Sequence, residues 1–162
     1  MGNIILGVGD LGASKNKDDV IKTFGLGSCI AVVFLDPKTR TAGMDHIALP
    51  DSSIDPEKAR KKPGYFADTG IPALLKEMAN FGCNSMGKGF IVKLIGGSAM
   101  LQSGSTFDIG KRNHIAIRKI LWQYGLAPVA EDVGGTISRT VEVDLSRGRV
   151  IVTSPQREKC FV

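Results

Sequence analysis

Two residues in this chain have the type and spacing to act as a catalytic pair, Cys29 and His46. Cys29 ends the segment Gly25-Leu26-Gly27-Ser28-Cys29, where two glycines and a serine let the backbone bend tightly ahead of an apolar run. Such a bend leaves a side chain at the mouth of the next strand. It also aims backbone N–H groups, here those around Gly27 and Ser28, at one point, which is how an oxyanion site is built. A cysteine placed there is a nucleophile when its thiolate is favoured over a free pKa of about 8.5. His46 lies in Gly43-Met44-Asp45-His46-Ile47. A cysteine and a histidine within hydrogen-bond reach form the pair that opens a carboxamide in cysteine hydrolases. Spacing alone also allows a plainer reading, in which Cys29 is the first core residue of a strand and His46 a histidine at a strand edge.

A third group is needed to orient the imidazole. Thr23, a few residues before Cys29, and Asp45 both qualify by type. Alternation along a strand points Asp45 away from any site that contains His46. Threonine is the weaker orienter, because it holds the ring without strongly stabilising imidazolium. His114 falls outside the apolar stripe of its helix and reads as a surface residue, and Cys83 and Cys160 read as incidental.

The elements that position these residues follow from periodicity. Cys29 to Leu35, CIAVVFL, is a buried-strand run stopped by Asp36-Pro37. Thr41 to Leu49 reads as its hairpin partner, with the turn at Asp36–Arg40. That hairpin sets residue 46 opposite residues 30–32 and so beside Cys29. Asn3–Val8, Val20–Phe24 and Phe90–Ile95 read as further strands, and Val141–Val152 as a terminal hairpin. Residues 9–19 and 51–66 read as loops. One helix is expected from about Asp68, with Ile71, Leu74, Leu75 and Met78 on its core face and Pro72 in its first turn. A second is expected over Lys111–Tyr124, with Ile117, Ile120, Leu121 and Tyr124 on its core face. Gly7-Val8-Gly9-Asp10-Leu11-Gly12 spells a dinucleotide fingerprint, but no amphipathic helix follows it, so its glycines are turn glycines. The expected architecture is α+β or layered α/β, with mixed, mostly antiparallel sheets and flanking helices.

The bulk composition fits this reading. The 162 residues suit one domain, with 43% hydrophobic and 23% charged residues. No apolar run approaches the roughly 20 residues needed to cross a bilayer, and no membrane insertion or secretory signal is expected. The three cysteines are widely spaced and form no metal-ligand pattern, so no metal or other cofactor is expected and a reducing cytoplasm fits best. The net charge of +5 is mild and aromatics are 6%, a poor match for nucleic-acid binding. The densest basic cluster, Lys58, Arg60, Lys61 and Lys62, sits between the His46 strand and the first helix. It reads as a solvated loop or as a docking site for an acidic protein surface.

Thr23-Phe24-Gly25-Leu26-Gly27-Ser28-Cys29-Ile30-Ala31-Val32 and Gly43-Met44-Asp45-His46-Ile47-Ala48-Leu49-Pro50 together resemble CheD, a family of bacterial chemoreceptor glutamine deamidases. Tyr65–Pro72, Gly96-Gly97-Ser98-Ala99-Met100, Ile109–Asn113 and Ala130–Gly135 extend the likeness over about residues 3–152. This suggests one domain over residues 1–153 and a tail over 154–162 without a counterpart. The resemblance implies a Cys-His-Thr group carried over to Cys29, His46 and Thr23, and a fold shared with bacterial toxin deamidases. It implies glutamines of methyl-accepting chemotaxis receptors as substrates. It also implies CheC, a phosphatase of phosphorylated CheY, as a partner. The alternative is a non-catalytic or weakly catalytic regulator that binds CheC and receptors. Asp45 stands where the family pattern leads one to expect a neutral residue.

Overall fold

The computed structural model describes residues 2–99 and 108–162; Met100, at the end of one of the motifs above, lies outside them. The run from Ile30 to Asp36 forms strand β4, and after the Asp36–Arg40 turn the chain returns as β5, Thr41–Ile47. The turn is closed by Asp36, whose carboxylate accepts from the Lys38 N–H and the Thr39 hydroxyl. The register pairs Ala31 with His46, inside the window expected from the sequence.

This hairpin is the centre of a five-stranded sheet in the order β2-β5-β4-β6-β7, where β2 is Leu11–Ser14, β6 Ile91–Gly96 and β7 Pro128–Val133. A second sheet has the order β1-β3-β8-β9-β10, where β1 is Asn3–Leu6, β3 Val20–Leu26, β8 Arg139–Asp144, β9 Arg149–Ser154 and β10 Arg157–Phe161. The pairs β1–β3 and β6–β7 are parallel and the others antiparallel. The result is the mixed, mostly antiparallel layered architecture expected from the sequence.

Strand alternation divides the core. Ala31, Val33, Met44 and Ile95 face the second sheet, meeting Ile21, Leu26, Val141 and Val152 there. Ile30, Val32, Phe34 and Ile47 face the other way, onto two helices. These are α2, Ala67–Ala79, and α3, Ile109–Gln123; a shorter helix, α1, spans Pro56–Lys61. Ile71, Leu74, Leu75 and Met78 of α2 are buried as their spacing predicts. In α3, Ile117 and Leu121 are buried, while Ile120 and Tyr124 pack at the edge of that core.

Four local expectations differ from the structure. Residues 9–19 contain β2, an edge strand whose short sequence Leu-Gly-Ala-Ser alternates only weakly; it pairs with β5 and packs Leu11 and Ala13 against the helical core. Residues 51–66 are not a loop. Asp51 caps a 3₁₀ turn, and Asp55 caps α1 with Pro56 in the first helical position. Pro72 lies past the first turn of α2, which begins at Ala67. The segment 154–162 contributes β10, which adds to the sheet by backbone pairing with β9 although its side chains are mostly polar and exposed.

Candidate active site

The tight bend before β4 is real and heavily anchored. Gly25 takes φ +63°, a conformation open to glycine. The carbonyls that follow are each held: Gly27 C=O accepts from Ser98 N–H at 2.8 Å, and Cys29 C=O from Gly97 N–H at 2.8 Å. Between them, Ser28 C=O accepts from the Asn113 side chain at 3.0 Å. A Cβ at Gly96 would overlap the Cys29 carbonyl, so only glycine lets the end of β6 come this close. Among the described residues, the N–H groups of Ser28 and Cys29 donate to no protein acceptor. The bend therefore fixes its acceptors and leaves two neighbouring donors with no acceptor outside Cys29, whose own N–H acts on its thiol; donors so placed can serve an oxyanion.

Cys29 is a free, half-buried thiol one residue before β4. It packs with Ala31 and Val33 on the face turned to the second sheet. His46 is on that face too, because its register partner is Ala31, two residues from Cys29. The two side chains are thus diagonal neighbours on adjacent strands.

Thr23 reaches His46 from the opposite sheet. Its Oγ1 lies 2.7 Å from His46 Nδ1 and 2.8 Å from the Leu6 carbonyl. A hydroxyl has one proton, and the Leu6 carbonyl can only accept it. His46 Nδ1 must then donate to Thr23 Oγ1, which places the lone pair of the neutral ring on Nε2. Nε2 is buried and has no hydrogen-bond partner. Burial pushes the imidazole down to about 4, opposed by the nearby Asp10 carboxylate. Burial also pushes the Cys29 thiol up, opposed by its own backbone N–H. Both effects favour a resting pair of thiol and neutral imidazole rather than the ion pair. Cys29 and the free Nε2 of His46 thus share one face of the hairpin, and no hydrogen bond joins them among the described residues.

Asp45 points to the helical side, as alternation predicts, and is fully buried. Its oxygens have no partner, and burial, helped by the charge of Asp10, holds its pKa well above the usual carboxylate range. A raised pKa favours the neutral acid, in keeping with the uncharged residue that the family pattern leads one to expect there.

The basic cluster is mostly committed within the molecule. Lys58 Nζ lies 4.0 Å from the centre of the Tyr65 ring, and Arg60 pairs with Glu57. Lys62 bonds Asp10 at 3.1 Å and the Val8 carbonyl at 3.2 Å, tying α1 to the β1–β2 loop. That loop covers His46 through hydrogen bonds from Gly9 N–H to His46 C=O and from His46 N–H to Asp10 C=O. Lys61 is exposed and forms no ion pair among the described residues. His114, expected at the surface, is half-buried and bonds Glu131 at 3.0 Å.

Two contributors were not singled out from sequence. Asn113 is fully buried and donates to both the Ser28 and Ala48 carbonyls, at 3.0 Å each. Its signal was a polar residue one turn before Ile117 on the apolar stripe of α3. Arg139 is buried beneath the bend, bonding Ser98 Oγ at 2.9 Å and Asp132 at 3.3 Å. Nothing in its local sequence separates it from a surface arginine.

The profile of a family described as CheD, chemotactic sensory transduction, matches residues 48–154. A probable chemoreceptor glutamine deamidase CheD of Syntrophotalea carbinolica is 48% identical over 157 residues, 97% of each chain. One from Solibacter usitatus is 43% identical over 162 residues, 100% of this chain and 95% of its own. The chemoreceptor glutamine deamidase CheD of Thermotoga maritima is 36% identical over 148 residues, 91% of this chain and 89% of its own. The profile match begins beyond His46, whereas the match to the Solibacter relative spans the whole chain, including Thr23, Cys29 and His46.

Proposed function

The chain belongs to the CheD family, and from that premise we propose that it is a chemoreceptor glutamine deamidase in which Cys29 is the nucleophile, His46 the base and Thr23 the orienter. The observation that carries the site assignment is the Thr23–His46 bond, which leaves Nε2 free on the face shared with Cys29.

As Cys29 Sγ attacks the side-chain carboxamide carbon of a receptor glutamine, His46 Nε2 takes the thiol proton. The carbonyl oxygen becomes an oxyanion facing the Ser28 and Cys29 N–H groups. The imidazolium gives its proton to the amide nitrogen, the C–N bond breaks, and ammonia leaves a thioester. His46 then takes a proton from water, and the resulting hydroxide opens the thioester. The products are a glutamate side chain, ammonia and the regenerated thiol. Neutral resting groups suit this cycle, because the base must be unprotonated before attack.

The test is to incubate the protein with the cytoplasmic fragment of a receptor. Ammonia release and Gln-to-Glu conversion by peptide mass spectrometry are expected, and both vanish with Cys29→Ala. Conversion by Cys29→Ala at the parent rate overturns the assignment. The reading extends to partners: CheC, and through it CheY, would meet the same face that receives receptors. Acting on the cytoplasmic part of receptors also puts the protein in the cytoplasm; among the described residues no helix is long and apolar enough to cross a membrane.

A further inference from the structure

We propose that Asn113 is a positioning residue of this active site, aiming the Cys29 N–H at the oxyanion and locking the nucleophile bend to the His46 strand. The inference rests on the assignment of Cys29 as nucleophile.

Its two amide hydrogens are both in use. One goes to Ser28 C=O, the carbonyl of the peptide that leads into Cys29, and the other to Ala48 C=O, two residues beyond His46. Two carbonyl partners leave no doubt about which end of the amide is nitrogen, since only the NH₂ group donates. Among the described residues there is no cis peptide bond, so the Ser28–Cys29 peptide is trans. In a trans peptide the C=O and N–H point in opposite directions. With Ser28 C=O held toward α3, the Cys29 N–H must point away from α3, to the side where the Cys29 sulfur packs against the second sheet. The influence of that N–H on its own thiol is consistent with this direction.

The local build serves this contact. Asp108 caps α3 by accepting from Lys111 N–H at 3.0 Å. Gly110 lies so close to the Gly97 and Ser98 carbonyls that any Cβ there would overlap them. The first turn of α3 can therefore settle on the β6 exit, and Asn113, one turn on, reaches beneath the bend. Asn113 Oδ1 is buried without a partner. A residue present only for packing would have no reason to keep an unsatisfied acceptor at this depth. Serine offers one donor and leucine none, so no residue of similar size replaces the two-pronged contact.

Asn113→Leu, which fills the space without donors, and Asn113→Ala should each fold with a single cooperative thermal transition. Against a receptor cytoplasmic fragment, each should lose about 10²- to 10³-fold in kcat, the usual effect of disabling one oxyanion donor, with KM within about twofold. Iodoacetamide alkylation of Cys29, read by peptide mapping, should shift to higher pH as the N–H leaves the sulfur. A packing role alone would not move that profile. A folded leucine variant with kcat within about threefold of the parent overturns the inference, as does a kcat loss with an unshifted alkylation profile. Failure of both variants to fold also overturns it, in favour of a purely structural tie. Cys29→Ala, run in parallel, separates the two levels. If it still deamidates, the nucleophile assignment itself falls; if it is inactive while Asn113→Leu is active, only the present inference does.

Discussion

At the residue scale, the site depends on one shared proton position. Thr23 Oγ1 gives its hydrogen to Leu6 C=O and so can only accept from His46. Thr23→Val keeps the shape of the side chain and removes that acceptor. Leaving a buried N–H unpaired costs about 1–3 kcal/mol, so kcat should fall by about 10- to 100-fold with KM little changed, whereas Thr23→Ser should retain most of the rate. Steady-state deamidation with both variants checks this. His46 also makes a thermodynamic prediction. Its folded pKa of about 4 lies below the ordinary value of 6.5. As pH falls from about 6.5 toward 4 the unfolded chain takes up a proton that the folded chain refuses, so stability is lost across that window, by about 3 kcal/mol in total. Urea titrations at pH 7 and pH 4.5 should show this loss, and His46→Gln should reduce it. An equal acid loss in His46→Gln would refute the assignment.

At the element scale, the β4–β5 hairpin was the legible part. Its apolar run and Asp-Pro turn set the register closely enough to put His46 beside Cys29, and alternation assigned Asp45 to the other face. The capped turns of residues 51–66 were also written in the sequence, in Asp51 and in Asp55-Pro56, but were obscured by the surrounding charge. Strand β2 and strand β10 were not legible, because each is short and weakly patterned, with few apolar side chains to mark it apart from its backbone pairing to a partner. Nor was the reach of Asn113 to a carbonyl 85 residues away, which only the docking of α3 creates. The packing of α2 on β5 carries its own prediction. Gly64 and Gly70 make room for the Asp45 carboxyl, since a Cβ on either would overlap its oxygens or press on them closely. A buried acid with a raised pKa keeps its proton above the ordinary carboxylate pKa, where the unfolded chain has lost it. Its stabilisation is therefore complete at low pH and fades as pH rises toward the folded pKa. Asp45→Asn should melt higher than the parent at pH 8, with the difference shrinking toward pH 5. Parallel melting curves at all pH values would contradict this.

At the scale of the whole molecule, charge and topology set what approaches the site and when the site exists. With Lys62 held by Asp10 and Arg60 by Glu57, two cluster residues are left to meet an acidic partner: Lys61, unpaired among the described residues, and Lys58, whose exposed ammonium rests on the Tyr65 ring. Reversing both to Glu should weaken binding to a receptor fragment and flatten its salt dependence, while leaving Thr23, His46 and Cys29 untouched. A salt slope equal to that of the parent, measured by titration at several ionic strengths, would remove them from the docking surface.

The bond between Thr23 and His46 crosses from one sheet to the other, and β3, which carries Thr23, has β8 as its antiparallel partner. Thr23, Cys29 and His46 all leave the ribosome within the first 46 residues, yet β8 begins at Arg139. On the proposed assignment, a nascent chain carries nucleophile, base and orienter long before β8 can brace the strand that bears Thr23. If bracing by β8 is what seats Thr23 against His46, the thiol gains its oriented base only when synthesis is almost complete. A chain cut before β8 should contain the entire trio and release no ammonia from receptor.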